Sequence, residues 1–294
     1  MPHILKNKHL EIQIDLPFEN YSFSRFDRTG KIVSVKFQNI QLSGCEDPDC
    51  KNEEELGKGF YNEFGIDTPL GFIETPIGGW FHKIGVGLLK KDTPIYQCGK
   101  KYEIQPAKFE VRTASNALLI RCTSQSVNGY SYVLEKKIEL QEAHFTIHYT
   151  LHNTGEKEMI TDEYVHNFMA FDQEPIGRND LLQFPFQLKP SLFIETVNPE
   201  QKVDLGPNGL TFNNSPQETF FFSNLSGGEM VTAQWELKNR KSNIGIRETG
   251  NFKTNKVNVW GASHVISPEL FFNIAILSGQ SMAWSRSYRF YELE

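Results

Sequence analysis

A chain of 294 residues with 39% apolar side chains, including 23 Phe, 10 Tyr and 4 Trp, is long enough to bury a sizeable core. Its net charge of −6, with acids and bases mixed and no basic stripe, excludes a nucleic-acid binder, which needs clustered Lys and Arg to displace phosphate counterions. The start, MPHILKNKHLEIQIDL, has no apolar core or small-residue cleavage site of a signal peptide, and no later run is apolar for long enough to cross a bilayer. A cytoplasmic protein with neither nucleic acid nor membrane as partner is expected. Four cysteines (Cys45, Cys50, Cys98 and Cys122) are too few to serve as a disulfide framework at this length, so reduced thiols are expected.

In chain order, the turn DRTG at 27–30 precedes KIVSVKFQ at 31–38, which alternates apolar and polar as a strand does. Residues 45–55, CEDPDCKNEEE, read as a solvated acidic loop, and Cys45/Cys50 lacks the second pair a zinc site needs. Neither Gly57-Lys58-Gly59 nor Gly85-Val86-Gly87 opens a helix after a strand, so these are turn or close-packing glycines and not a phosphate cradle. The stretch 57–90 holds Asn62, Glu63, Trp80, His82 and Lys83. Aromatic rings beside hydrogen-bonding groups suit a sugar, whose C–H faces stack while its hydroxyls pair; an irregular loop with ordinary turn residues is the other reading.

Residues 94–104 predict a tight hairpin about Cys98-Gly99. From 107 to 172, alternating runs follow closely: KFEVRT, ALLIRCTS, YSYVLEKKIEL, HFTIHYTLH and TDEYVHNFMAFD. After a Pro-rich middle at 175–216 come TFFFSN, VTAQWEL, HVISPELFFNIAIL and SMAWSRSYRFYEL. Long amphipathic helices are absent from the pattern. Many regularly spaced strands without a distinct linker predict one all-β domain over 1–294, a large antiparallel sandwich or barrel.

His144, His148 and His152 have helical spacing, yet Phe145, Ile147, Tyr149 and Leu151 alternate with them, so they form the polar outer face of a strand and not a metal site. No serine sits in a G-x-S-x-G elbow. In TDEYVHNFMAFD, Tyr164, His166, Phe168 and Ala170 share one face, and Val165, Asn167, Met169 and Phe171 the other. Both faces are largely apolar, so the strand lies inside, and His166 is either a satisfied core histidine or the floor of a cleft. Glu269 follows Ser267-Pro268 in a segment nearly free of charge. Desolvation should raise its pKa towards the range of a general base at neutrality, unless it is a strand-end carboxylate in water.

These segments together resemble the galactose mutarotase-like (aldose 1-epimerase) superfamily, from roughly Gly57 to Tyr291. The resemblance rests on KKIELQEAHFTIHYTLHNTG followed by EYVHNFMAFD, and on SPELFFNIAILSGQSMAWSRSYRF. His166-Asn167-Phe168 matches the family's His followed by an aromatic. Glu269, Leu277-Ser278-Gly279, Trp284 and Tyr288 match its late glutamate, Leu-x-Gly turn and final aromatic strand. The resemblance implies a β-supersandwich, a concave sugar site with Asn167 among its binding residues, and an isomerase needing neither metal nor organic cofactor. Glu269 would take the anomeric proton while His166 protonates the ring oxygen; the ring opens, C1 turns and reclosure gives the other anomer. Asn62-Glu63 stands where galactose mutarotases carry Asn-Arg, and His82 in Gly78-Gly79-Trp80-Phe81-His82 is the nearest match to their His-Gly-Gly histidine. Alternatives are a non-catalytic sugar-binding protein on the same scaffold, or a polysaccharide lyase or glycosidase with Glu63 as second carboxylate. A small sugar is the expected partner, and a monomer or weak homodimer the expected state.

Overall fold

The computed structural model describes residues 2–294. Its architecture is antiparallel β throughout, apart from one 3-10 turn at Pro190–Leu192. This is the all-β, antiparallel class expected from the sequence.

A ten-stranded sheet runs in the order Val203–Leu205, Gly209–Phe212, Asp180–Gln183, Val231–Asn239, Ile244–Thr254, Ser281–Glu292, His144–Asn153, Tyr132–Gln141, Ala117–Thr123 and Lys108–Thr113. A seven-stranded sheet runs His3–Lys6, Leu10–Asp15, Lys31–Phe37, Phe60–Phe64, Met159–Asn167 and Phe272–Ile276, with Ile40–Gln41 pairing beside Lys31–Phe37. The C-terminal strand therefore lies in the middle of the larger sheet. Smaller sheets are built from Thr196–Val197, Phe220–Phe222, Val257–Gly261 and Ile266–Leu270, and from Trp80–Lys83, Gly87–Lys90 and Ile104–Pro106.

Alternation places the two large sheets face to face. In His144–Asn153, Phe145, Ile147, Tyr149 and Leu151 are buried while His148 is exposed, as the period-two pattern predicts. Phe60 meets Phe145 and Tyr288 edge-on across the interface, with ring centroids 5.5 and 4.9 Å apart. Gly59 leads into Phe60–Phe64 hard against the backbone of Ile32 in the paired strand. Its φ is +60°, and a β-carbon there would stand 2.1 Å from the Ile32 carbonyl oxygen, so only glycine fits.

At the centre of this apolar interface lies a buried charged network. Arg286 donates through Nη2 to Glu163 (2.7 Å) and through Nη1 to Glu248 (2.7 Å). Trp284 and Trp235 indoles donate to the same two carboxylates. Asn62 donates to Glu163 and accepts from Lys136 (2.7 Å) and Tyr149 (2.8 Å); Asn167 donates to Glu248 (3.2 Å) and accepts from Tyr288 (3.1 Å).

Two local expectations differ from the structure. Residues 94–104 do not form a tight hairpin: Gly87–Lys90 pairs with Ile104–Pro106, and the stretch between is a long loop. Tyr96 and Tyr102 stack there, 5.7 Å apart, and pack on Phe81, so ring packing replaces backbone pairing. Reduced thiols were expected throughout, but Cys45 and Cys50 are disulfide-bonded across a tight loop, with α-carbons 5.5 Å apart; Cys98 and Cys122 are free. Among the described residues no helix is long and apolar enough to cross a membrane.

Candidate active site

The site is assembled on the face of the seven-stranded sheet that points away from the ten-stranded one. Tyr61 pairs with His166 and Glu63 with Tyr164, which puts these four side chains on one side and Asn62, Val165 and Asn167 on the other. Asn167 ties in the second element. Its amide nitrogen donates to Ser267 Oγ (2.9 Å) and its side chain to the Pro268 carbonyl (2.7 Å), fixing Ile266–Leu270 beside Met159–Asn167. This brings Glu269 Oε1 to 3.5 Å from His166 Nε2.

Aromatic side chains enclose the pair. The Phe168 ring stacks on the imidazole at 4.1 Å, half-buried Trp260 stands edge-on at 5.2 Å, and Phe26 lies at 6.2 Å. Nδ1 of His166 has no hydrogen-bond partner among the described residues. Burial lowers the imidazole well below its ordinary 6.5, and the positive charge of Arg25 adds to this. Burial raises the Glu269 carboxyl to about 8; Arg25 works against that and Glu63 adds to it. Near neutrality the pair is therefore a protonated carboxyl facing a neutral imidazole.

Arg25 is the cation of the site. Its Nε donates to Glu63 (2.8 Å) and Nη2 to the Tyr164 hydroxyl (3.0 Å), Nη1 lies 3.6 Å from Glu46, and the guanidinium covers the Phe26 ring. Tyr164 donates to Glu63 (2.8 Å), and Lys83 donates to Glu63 (2.9 Å) and to the Tyr96 hydroxyl (3.0 Å). Burial alone would raise the Glu63 carboxyl, but Lys83 and Arg25 outweigh it and hold it ionised. Arg25 also lines a cleft of about 300 Å3 with Phe23, Glu46, Glu55, Leu56, Gly99 and Lys101.

Of the residues singled out in the sequence, His166, Glu269, Glu63 and Lys83 converge here. Asn62 and Asn167 face the sandwich interior, where the inter-sheet network occupies their side chains. His82 and Trp80 also lie elsewhere. In Trp80–Lys83 alternation turns them away from Lys83, so His82 packs on Tyr130 and Tyr132, where burial lowers it to about 4, and Trp80 lies beside Lys90. Nor is there a hexose-sized gap between His166 and Glu269: the two side chains touch, each nearly buried. Sequence reasoning passed over Arg25, Glu46 and Trp260. Arg25 stands between two phenylalanines with no periodic signature, and its partners lie 21, 38 and 139 residues away.

No protein-family model matches the sequence, and no curated protein does. Solved structures do. A galactose mutarotase related enzyme from Lactobacillus acidophilus superposes with a TM-score of 0.61 at 11% identity, over 100% of both chains. A galactose mutarotase-like protein from Clostridium acetobutylicum gives 0.58 at 10%, covering 99% of this chain and 95% of that one. An aldose epimerase homologue from C. elegans gives 0.55 at 12%, over 100% of both. The fold is thus that of galactose mutarotase-like and aldose 1-epimerase proteins. Fold alone does not carry an activity.

Proposed function

We propose that this protein is a cofactor-independent aldose 1-epimerase that interconverts the anomers of a small sugar. One observation carries the reading: the buried Glu269 carboxyl lies 3.5 Å from the buried His166 imidazole, between aromatic rings and beside a cation. Burial raises the carboxyl to about 8 and holds the imidazole below its ordinary range. Such a pair stores one transferable proton near neutral pH, which anomer exchange requires. The protonation state exchanges the roles expected from the sequence. His166 takes the proton of the anomeric hydroxyl, and Glu269 gives its own to the ring oxygen. The bond between C1 and the ring oxygen breaks, C1 rotates in the open aldehyde, and reclosure on the other face returns both protons.

The pair must part to admit a pyranose. Both groups are neutral and their 3.5 Å contact exceeds the about 2.7–2.9 Å of a charge-assisted hydrogen bond, so parting breaks no buried ion pair. The half-buried Trp260 ring beside His166 suits the sugar's C–H face, and Arg25, which lines the neighbouring cleft, suits its hydroxyls.

The test is α-to-β conversion of a panel of aldoses followed by NMR. Glu269→Gln should slow conversion by about 10²–10⁴-fold. A wild type no faster than the variant on every sugar would remove the enzymatic reading. The closed His166–Glu269 contact favours a second reading, a non-catalytic sugar-binding protein, in which calorimetry shows sugar binding that Glu269→Gln leaves intact, with no turnover to lose. A two-carboxylate glycosidase is disfavoured, because Arg25, Lys83 and Tyr164 already engage Glu63.

A further inference from the structure

We propose that the strand Lys108–Thr113 is a homodimer interface, pairing antiparallel with the same strand of a second copy about a two-fold axis through Val111. This strand ends the ten-stranded sheet. It pairs with Ala117–Thr123 on one side and with no strand on the other among the described residues. Five of its six residues are exposed, and Phe109 is half-buried. An uncovered strand edge presents free amides and carbonyls and is a template for another strand.

Backbone parity shows which groups are free. The Ala114 amide donates to the Ala117 carbonyl (2.8 Å), closing the hairpin as a hydrogen-bonded pair. Pairs then alternate along the ladder, so Arg112, Glu110 and Lys108 point their backbone groups inward at Leu119, Arg121 and Thr123. The amides and carbonyls of Phe109, Val111 and Thr113 point outward.

Side chains then select the register. Centring on Val111 sets Glu110 opposite Arg112 of the second copy, twice by symmetry, and Phe109 opposite Thr113, with outward backbone groups meeting outward ones. Centring on Glu110 instead opposes Glu110 to itself and Lys108 to Arg112, and centring on Arg112 opposes two arginines. Centring on Phe109 pairs Val111 with Ala107, whose outward amide already donates to Val86. Only the Val111 register is both charge-matched and free of these obstacles.

An apolar overhang supports the same occupant. Phe109, Val111 and Thr113 continue the row of Cys122, Ile120 and Leu118, which is fully buried, yet Val111 is 39% exposed. Phe18, 68% exposed, meets Phe109 edge-on at 5.4 Å. A two-fold pairing is isologous, so this patch would meet its own copy and close without forming a fibre.

Sedimentation of the full chain over a concentration series tests this. The wild type should pass from monomer to dimer as concentration rises. Val111→Pro removes an outward amide without touching the strand's own ladder, and should give a monomer at every concentration while circular dichroism stays unchanged. Glu110→Arg should weaken the dimer at least tenfold, and Glu110→Arg with Arg112→Glu should restore it. A wild type monomeric up to the highest concentration, or a dimer indifferent to Val111→Pro and to the charge changes, would overturn the proposal. Neither result bears on the sugar reading, whose residues lie elsewhere.

Discussion

A titration shift in one side chain reports both chemistry and stability here. The folded pKa of Glu269, about 8, lies above its ordinary 4.5, so the folded state holds this proton more tightly than the unfolded chain does. That stabilisation is complete below the unfolded pKa and is lost as pH rises through about 8. Glu269→Gln has no proton to lose. Its thermal midpoint should overtake the wild type's as the pH is raised towards 9, by an amount on the order of a few kcal/mol in stability; parallel curves across the whole range would contradict the assigned shift. Epimerase activity should be flat near neutrality and decline above about pH 8, where the carboxyl loses its proton. Arg286 is a second decisive residue. It is fully buried and ion-pairs with Glu163 and Glu248 at once. Arg286→Met strands both carboxylates in the core and should cost about 3–5 kcal/mol in urea unfolding, part of which Glu163→Gln with Glu248→Gln should return.

Elements acquire their roles from neighbours remote in sequence. Met159–Asn167 serves two faces at once: Tyr164 and His166 look to the candidate site, while Glu163 and Asn167 hold the inter-sheet network. Alternation made the faces of this strand legible in the sequence. Which face met the candidate site and which met the other sheet was not legible, since both are equally buried. The same ambiguity explains Asn62 beside Glu63 and His82 beside Lys83, where one of each adjacent pair reaches the site and the other cannot. The loop 45–50 is a further case. Its disulfide fixes the segment from which Glu46 reaches Arg25. A peptide map without reductant should show Cys45 linked to Cys50 with Cys98 and Cys122 free, and Cys50→Ser should lower stability by about 2 kcal/mol, the loop-entropy expectation for so short a ring.

For the molecule as a whole, chain order and spatial order diverge. The seven-stranded sheet joins strands from the first 64 residues to Met159–Asn167 and Phe272–Ile276, and Ser281–Glu292 is inserted between Ile244–Thr254 and His144–Asn153. Deleting residues 281–294 should therefore abolish folding and not merely fray an end, leaving a chain without dispersed amide NMR signals. A truncated chain with native-like dispersion would show that the larger sheet closes without its central strand.

The sequence by itself determined the all-β class, the outward histidines of His144–Asn153 and the burial of His166, because each follows from local periodicity; for Glu269 it left a raised pKa and a solvated strand end both open, and burial in the fold chose the first. Tertiary structure alone decided that His166 and Glu269 touch, that Arg25 is the cation beside them, and that Asn62 and Asn167 serve the sandwich interior. Those facts depend on contacts between segments separated by up to 139 residues, and a linear pattern carries the period of a strand but not the identity of the strand it will face.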